Sequence, residues 1–235
     1  ANWLSSLPDE PRSATLSGRV TGVTKDAFAS FVDPAQLEQV TLTADASLAA
    51  EADRFALDAI RASIVLDQAS LTLAGVPFTQ SAPTRVRLEG GRARLEELRW
   101  DAQGNELRAS GTADLIGPAP VIDVAVNGAL DLRALGAFAS GIASGGLAYT
   151  ALTVRGPLAS PQIVGSVHVS WGELRPETPS LSADDFNGTI AVDAARRATI
   201  YLNGDINGGP AYVEGEFALD EIASPRGRLS VTAWG

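Results

Sequence analysis

The chain has 235 residues, 45% of them hydrophobic, and 28 acidic against 18 basic side chains give a formal net charge of −10. This length allows a substantial core in one or two domains. The basic residues are scattered singly, which excludes the positive stripe that nucleic acid requires as a partner. Without cysteine, disulfides, thiolate catalysis and cysteine-based metal sites are excluded, and a single histidine excludes histidine-rich zinc sites.

Apolar and polar residues alternate with a period of two along most of the chain, which is typical of half-buried β-strands. Turn-forming Gly, Asn, Asp and Pro separate these segments about every ten residues. We therefore predict an all-β fold, an antiparallel meander of about fourteen strands. The clearest alternating segments are 40–48, 85–89, 107–115, 122–127, 152–155, 166–169, 199–203, 213–220 and 228–233.

Only two short segments have helical character. The first is 25–37, opened by Thr24 and interrupted at Pro34, and the second is 131–140, with apolar residues at helical spacing. The uncharged stretch 134–154 is long enough to span a bilayer, but its glycines and its later alternation favour a short helix, a turn and a strand.

A weak internal repeat divides the chain into two parts. Residues 67–71 align with 170–174 at an offset of 103, and 111–115 align with 215–219 at an offset of 104. We therefore expect residues 1–235 to form one elongated β domain made of two degenerate repeats, about 14–131 and 132–235.

The residues that could carry catalysis are better explained as surface or turn residues, so we predict that the protein is not an enzyme and needs no cofactor or metal. Acids that are adjacent on a strand, such as Glu96 and Glu97, point to opposite faces, and glycosidase chemistry needs facing carboxylates. Asp184 and Asp185 precede a turn signal. His168 is predicted on the polar side of its strand, and no nucleophile elbow accompanies it.

The four tryptophans, Trp3, Trp100, Trp171 and Trp234, could form a platform that stacks on sugars or bases. They are far apart in sequence and have no flanking clusters of cations. We therefore assign them to core or rim packing.

The apolar face of the predicted sheet can be covered by a second sheet, closed into a barrel, or left as a groove for an apolar ligand. Its residues are mostly small or medium aliphatics, which fits a conduit for acyl chains, although a packed sandwich fits the pattern nearly as well. The predicted groove-lining residues are Val86, Leu88, Leu107, Ile122, Val124, Val126, Leu152, Val154, Ile163, Val167, Val169, Ile190, Ile200, Leu202, Val213, Phe217, Leu219, Leu229 and Val231.

Residues 145–174 resemble the repeat of the TamB and AsmA-like envelope proteins. In that repeat a glycine-initiated strand is followed by V-x-G-x-L-x-x-P-x-[IL]-x-G-x-[VL]-x-[VL], and the resemblance extends over about 121–219. The matching positions are Val154, Gly156, Leu158, Pro161, Ile163, Gly165, Val167 and Val169.

The resemblance implies an elongated β-sheet curled into a taco shape with an apolar concave groove. It implies a segment of a longer, periplasm-spanning envelope protein, anchored in the inner membrane, that shields phospholipid acyl chains during transport to the outer membrane. Its implied partners are acyl chains, flanking repeats of the full-length protein and an outer-membrane barrel of the Omp85 type.

Two alternatives remain open at the level of sequence. The first is a scaffold for outer-membrane protein assembly, in which exposed strand edges bind a client by β-augmentation. The second is carbohydrate binding or hydrolysis, which predicts a cleft lined by tryptophans with paired carboxylates. The scattered positions of the tryptophans in the sequence argue against it.

Overall fold

The computed structural model describes residues 13–28, 40–54, 56–137, 142–176, 181–219 and 226–234. In these residues the chain forms fourteen β-strands and three short 3₁₀ helices, and no α-helix. The strands are β1 (Ala14–Thr24), β2 (Val40–Ala52), β3 (Ile60–Leu73), β4 (Val76–Gln80), β5 (Thr84–Glu89), β6 (Arg92–Ala102), β7 (Asn105–Asp114), β8 (Val121–Asp131), β9 (Ile142–Pro157), β10 (Gln162–Pro176), β11 (Ala183–Val192), β12 (Arg197–Ile206), β13 (Gly209–Ala218) and β14 (Arg226–Ala233). The predicted all-β fold is therefore confirmed.

All fourteen strands belong to one antiparallel sheet, and each strand pairs with its neighbours in sequence except around β3. The second half of β3 pairs with β4 and its first half with β5, and both of these strands then pair with β6. Two-residue turns with positive φ at both positions, such as Gln103-Gly104 and Asn207-Gly208, connect neighbouring strands. Such turns match the twist of antiparallel strands, and they explain why the chain forms a meander.

The two segments with predicted helical character contain short 3₁₀ helices. The first is η1 (Lys25–Phe28), and the rest of the predicted segment, 29–37, lies outside the described residues. The second predicted segment, 131–140, contains η3 (Leu132–Ala137); Asp131 instead ends β8, and 138–140 lie outside the described residues. A further 3₁₀ helix, η2 (Leu57–Ala59), lies between β2 and β3 and was not predicted. None of the helices in the described ranges is long and apolar enough to cross a bilayer.

Glycines inside the strands allow neighbouring backbones to approach closely. Gly165 has a φ of 138°, and a Cβ atom placed on it would lie 2.0 Å from the carbonyl oxygen of Ala151. Gly188 has a φ of 154°, and its Cβ would lie 2.0 Å from the carbonyl oxygen of Tyr201. Any other residue would force the strands apart, so these two positions require glycine.

Seven of the buried apolar residues form two small clusters, and both clusters lie along the same rim of the sheet. We call this the packed rim: it is the side on which β3 leads to β4, β6 to β7, β8 to β9, β10 to β11, and β12 to β13. The first cluster contains Val76, Phe78, Ala102 and Ala134. The second contains Ala183, Phe186 and Ala211.

The helix η3 joins parts of the sheet that are distant along the strand order. It follows β8, yet it contacts β3 as well as β9, and its Ala134 is buried against the start of β4. Because β3 and β8 are four strand positions apart in the sheet, these contacts require the sheet to curve at the packed rim.

The first cluster should hold the packed rim together. Phe78 is only 4% exposed, so Phe78→Ala should lower the free energy of unfolding by about 3–5 kcal/mol, measured by urea denaturation. Leu16→Ala is the control: Leu16 lies on edge strand β1 and is exposed, and its loss should cost less than about 1 kcal/mol. Equal effects of the two substitutions would contradict this role for the cluster.

Candidate functional site

The register of the sheet places aliphatic side chains on one face across all of its strands. Val124 lies opposite Gly111 on β7 and Val154 on β9, and Val154 lies opposite Ile163 on β10. Directly opposite residues share a face, so these pairs extend one surface from strand to strand. We call this surface the apolar face and the opposite surface, which carries most of the charged side chains, the outer face.

Eighteen of the nineteen predicted groove-lining residues lie in strands on the apolar face. The ladder continues through Val167, Ile190 and Ile200 to the last strands, where Val213 lies opposite Val231. The remaining residue, Leu219, follows the end of β13 and lines a small cavity together with Ile163 and Val192. The predicted residues therefore belong to one continuous surface.

The apolar face extends further toward the N-terminus than the predicted set. Leu16, Leu48 and Ile64 continue it on β1, β2 and β3. A β-bulge in β3 interrupts the alternation of apolar and polar residues there. Asp45 pairs with Gln68 and Ala46 with Leu66, so Asp67 has no direct partner on β2. The extra residue breaks the period-two pattern of β3, so its apolar residues were not assigned to the groove. The regular alternation in 40–48 does indicate that β2 has an apolar face.

Most of the apolar face is only half-buried. Of the nineteen predicted residues, Val169 alone is buried, and Leu229 on the last strand is 52% exposed. Central residues such as Val124, Val154 and Ile200 also keep part of their surface accessible. A second sheet packed on this face would bury those central side chains. In the described residues, the apolar face is thus accessible to a ligand.

The two rims of the sheet differ in the exposure of their apolar side chains. The packed rim holds both buried clusters, whereas the opposite rim carries exposed aliphatics in its connections. These are Leu57 between β2 and β3, Leu115 and Ile116 between β7 and β8, and Leu158 between β9 and β10. We call this second side the exposed rim.

The acidic pairs singled out in the sequence are held by arginines. Glu96 lies 2.9 Å from Arg87 and 3.5 Å from Arg85, and Glu97 lies 2.7 Å from Arg99. The hydrogen bond from Arg99 lowers the pKa of Glu97, which disfavours the protonated form that a general acid needs. Asp184 likewise binds Arg175.

A buried carboxylate fixes the start of η3 at the packed rim. Asp131 is 7% exposed, and its Oδ1 accepts hydrogen bonds from the Arg133 backbone N–H at 2.9 Å and from Arg133 Nε at 3.0 Å. Arg133 also donates to the side-chain oxygen of Gln103 in the turn between β6 and β7, at 2.7 Å. The hydrogen bonds from the Arg133 side chain are the main reason that the pKa of Asp131 is lowered.

The described residues contain no group of three or more His, Cys, Asp or Glu side chains that could hold a metal ion. His168 lies exposed on the outer face, where its Nδ1 is 3.3 Å from the Thr189 hydroxyl. Comparison with protein-family models, with curated proteins and with solved structures finds no match for this chain.

The ion pair between Asp131 and Arg133 should make the stability of the packed rim depend on pH. The pKa of Asp131 is lower in the folded than in the unfolded chain, so its charge stabilises the fold above its ordinary pKa of about 3.9. This contribution is lost as the pH falls through the lowered value. Asp131→Asn should therefore cost about 1–2 kcal/mol near neutral pH.

The measurement is the difference in unfolding free energy between wild type and Asp131→Asn, followed from neutral to acidic pH. We expect the difference to shrink as the pH falls below about 4. Asp123→Asn is the control, because Asp123 forms an exposed ion pair with Arg155 and such pairs contribute at most about 1 kcal/mol. A difference for Asp131→Asn that stays constant with pH would contradict the assignment.

Proposed function

We propose that the apolar face is a groove that shields the acyl chains of phospholipids from water. The observation that carries this proposal is the aliphatic ladder, which runs in register through all the strands of the sheet while its central residues stay half-buried. A folded protein seldom leaves so large an apolar surface accessible unless something binds to it. The curvature required by the contacts of η3 favours a groove over a flat sheet.

The energetics of such a groove suit transport. Each methylene that leaves water contributes about 0.8 kcal/mol, so a bound acyl chain is held without any polar contact. Val, Leu, Ile and Ala side chains repeat along the face, so neighbouring positions along the groove offer similar binding free energies. A bound acyl chain could then move from one strand to the next without a large change in binding free energy.

The two rims suggest how a phospholipid lies in this groove. Both buried clusters close the packed rim, so acyl chains would enter from the exposed rim. There, connections such as 115–120 place Leu115 and Ile116 beside charged side chains, among them Asp114, which pairs with Arg92. Head groups would stay in water at that rim while the tails contact the apolar face.

We further propose that this groove belongs to a lipid-transport protein of the TamB and AsmA-like type. The support is the repeat in 145–174 together with a meander whose sheet order contains thirteen successive strand positions, about 60 Å at 4.8 Å each. In that setting the chain would be one segment of a periplasmic bridge between inner and outer membranes. Flanking repeats and an outer-membrane barrel would be its partners.

Arginine substitutions on the two faces test the groove directly. Val154→Arg and Val167→Arg place a charge among the acyl chains, and each should reduce phospholipid loading about tenfold or more, because burying an unpaired charge is costly. Val124→Arg and Ile200→Arg extend the test along the ladder. Loading is measured by native mass spectrometry, with organic extraction, after purification without detergent.

The matched controls lie one residue away on the outer face. Thr153→Arg and Ser166→Arg introduce the same charge into the same two strands, and they should leave loading unchanged. Circular dichroism and thermal unfolding show that each variant remains folded. If folded Val154→Arg and Val167→Arg proteins load lipid as well as their controls, the apolar face is not the lipid site.

The free edge of β14 favours a second candidate function, client binding during outer-membrane protein assembly. All eight residues of β14 are exposed, and in the described residues the strand pairs only with β13. An unpaired edge with alternating aliphatics is a template for β-augmentation. The client would add an antiparallel strand and extend the apolar face beyond Leu229 and Val231.

Proline substitutions separate edge binding from groove binding. Consecutive residues of an antiparallel strand direct their N–H groups alternately toward one neighbour and the other, so Ser230→Pro and Val231→Pro remove different bonds. We expect the variant that loses the outward N–H to keep its stability and its lipid loading but to lose cross-linking to an unfolded barrel protein. Undiminished cross-linking by both variants would exclude this edge as the binding site.

A further inference from the structure

The aromatic residues of the outer face are concentrated in one area of the second half of the sheet. Tyr149, Tyr201 and Tyr212 are the only tyrosines of the chain, and all three are exposed there. The register places Tyr149 opposite His168, His168 opposite Thr189, and Thr189 opposite Tyr201. These four residues therefore form one row across β9 to β12.

A second row of polar side chains runs alongside the first, displaced by two residues along the strands. Asn187 lies opposite Asn203, and Asn203 lies opposite Tyr212. Between β9 and β12 the two rows contain no lysine, arginine, aspartate or glutamate, and Glu214 on β13 lies opposite Tyr201 at one end of the first row. Aromatic rings, amides and hydroxyls therefore dominate this part of the outer face, whereas other parts of the outer face carry many ion pairs.

An unusual backbone conformation lies at the border of these rows. Trp171 and Asp185 have φ angles of 54° and 55° inside strands β10 and β11, at positions where the register shifts. The other non-glycine residues with left-handed φ in the described ranges lie at turns. A bulky aromatic residue in this conformation is strained, and such strain persists only where the surrounding structure enforces it.

The side chain of Asn187 enforces this double bulge. Its Oδ1 accepts a hydrogen bond from the Trp171 backbone N–H at 3.1 Å, and its Nδ2 donates to the Asp185 carbonyl oxygen at 2.6 Å. The indole of Trp171 is left 66% exposed. Strand propensity accounts for tyrosines on a sheet, but it does not account for a strained, exposed tryptophan held by a dedicated side chain.

We propose that these residues form a platform that binds a neutral glycan chain. The platform consists of Tyr149, His168, Trp171, Asn187, Tyr201 and Tyr212. Aromatic faces carry negative potential and attract the weakly positive C–H faces of pyranose rings, while the amides and hydroxyls pair with sugar hydroxyls. The chain's net charge of −10 and the uncharged rows favour an uncharged polymer over an anionic one.

The geometry of the platform suits an extended chain of sugars. Tyr149 and Tyr201 are three strand intervals apart, about 14 Å. One strand interval is close to the length of one pyranose unit, so successive units would meet successive strands. This surface is opposite the apolar face, and the proposal does not depend on lipid binding.

The decisive variant is Trp171→Gly. Glycine adopts a left-handed φ without strain, so this substitution removes the indole while the bulge is retained. Binding is measured by titrating chitohexaose and cellohexaose, both neutral, and following chemical shifts by NMR. We expect one of these probes to bind wild type and Trp171→Gly to weaken that binding about tenfold, with unfolding stability unchanged or raised.

Further variants locate the platform and exclude a general effect of aromatic residues. Tyr149→Ala combined with Tyr201→Ala should also weaken binding about tenfold or more. Trp234→Ala removes an exposed tryptophan that follows β14 and is not part of the platform, and this variant should bind like wild type. The proposal is overturned if neither probe binds at millimolar concentration, if Trp171→Gly binds as well as wild type, or if Trp171→Gly destabilises the fold, which would make the indole structural.

Discussion

The register of the antiparallel sheet is the constraint on which the other features depend. Because opposite residues share a face, a period-two pattern in each strand becomes one continuous surface only if every strand keeps the same register relative to its neighbours. Bulges at Asp67, Trp171 and Asp185 each add a residue to a strand and shift the alternation by one position. The aliphatic side chains nevertheless lie on the same face before and after each bulge. Glycines such as Gly165 allow the close approach that this requires.

The all-β meander and the composition of its apolar face could be predicted from the sequence because both follow from local alternation and turn residues. The bulges could not, since an extra residue in a strand resembles an irregularity in the pattern. Nor could the position of Ala134, whose burial against Val76 and Phe78 depends on contacts between distant strands. Small residues in connections carry no local signal of such packing.

The register of the sheet also accounts for the glycine and aliphatic pattern in 145–174. Gly156 and Gly165 both have positive φ, so these positions of the pattern are set by backbone geometry. Its aliphatic positions, such as Val154 and Val167, are set by the face to which they belong. The pattern therefore specifies a strand pair with one apolar surface.

The two faces of the sheet place different demands on sequence. The apolar face uses interchangeable aliphatics, so substitutions among Val, Leu and Ile preserve it. The outer face instead carries residues that occur once or a few times, such as His168 and the tyrosines beside it. Trp100 packs against the first buried cluster, as the predicted assignment of tryptophans to packing requires, whereas Trp171 and Trp234 are exposed and depart from that prediction. Trp3 lies outside the described residues. A function that depends on particular residues is therefore to be sought on the outer face, where Asn187 holds Trp171 in a conformation that the apolar face does not require.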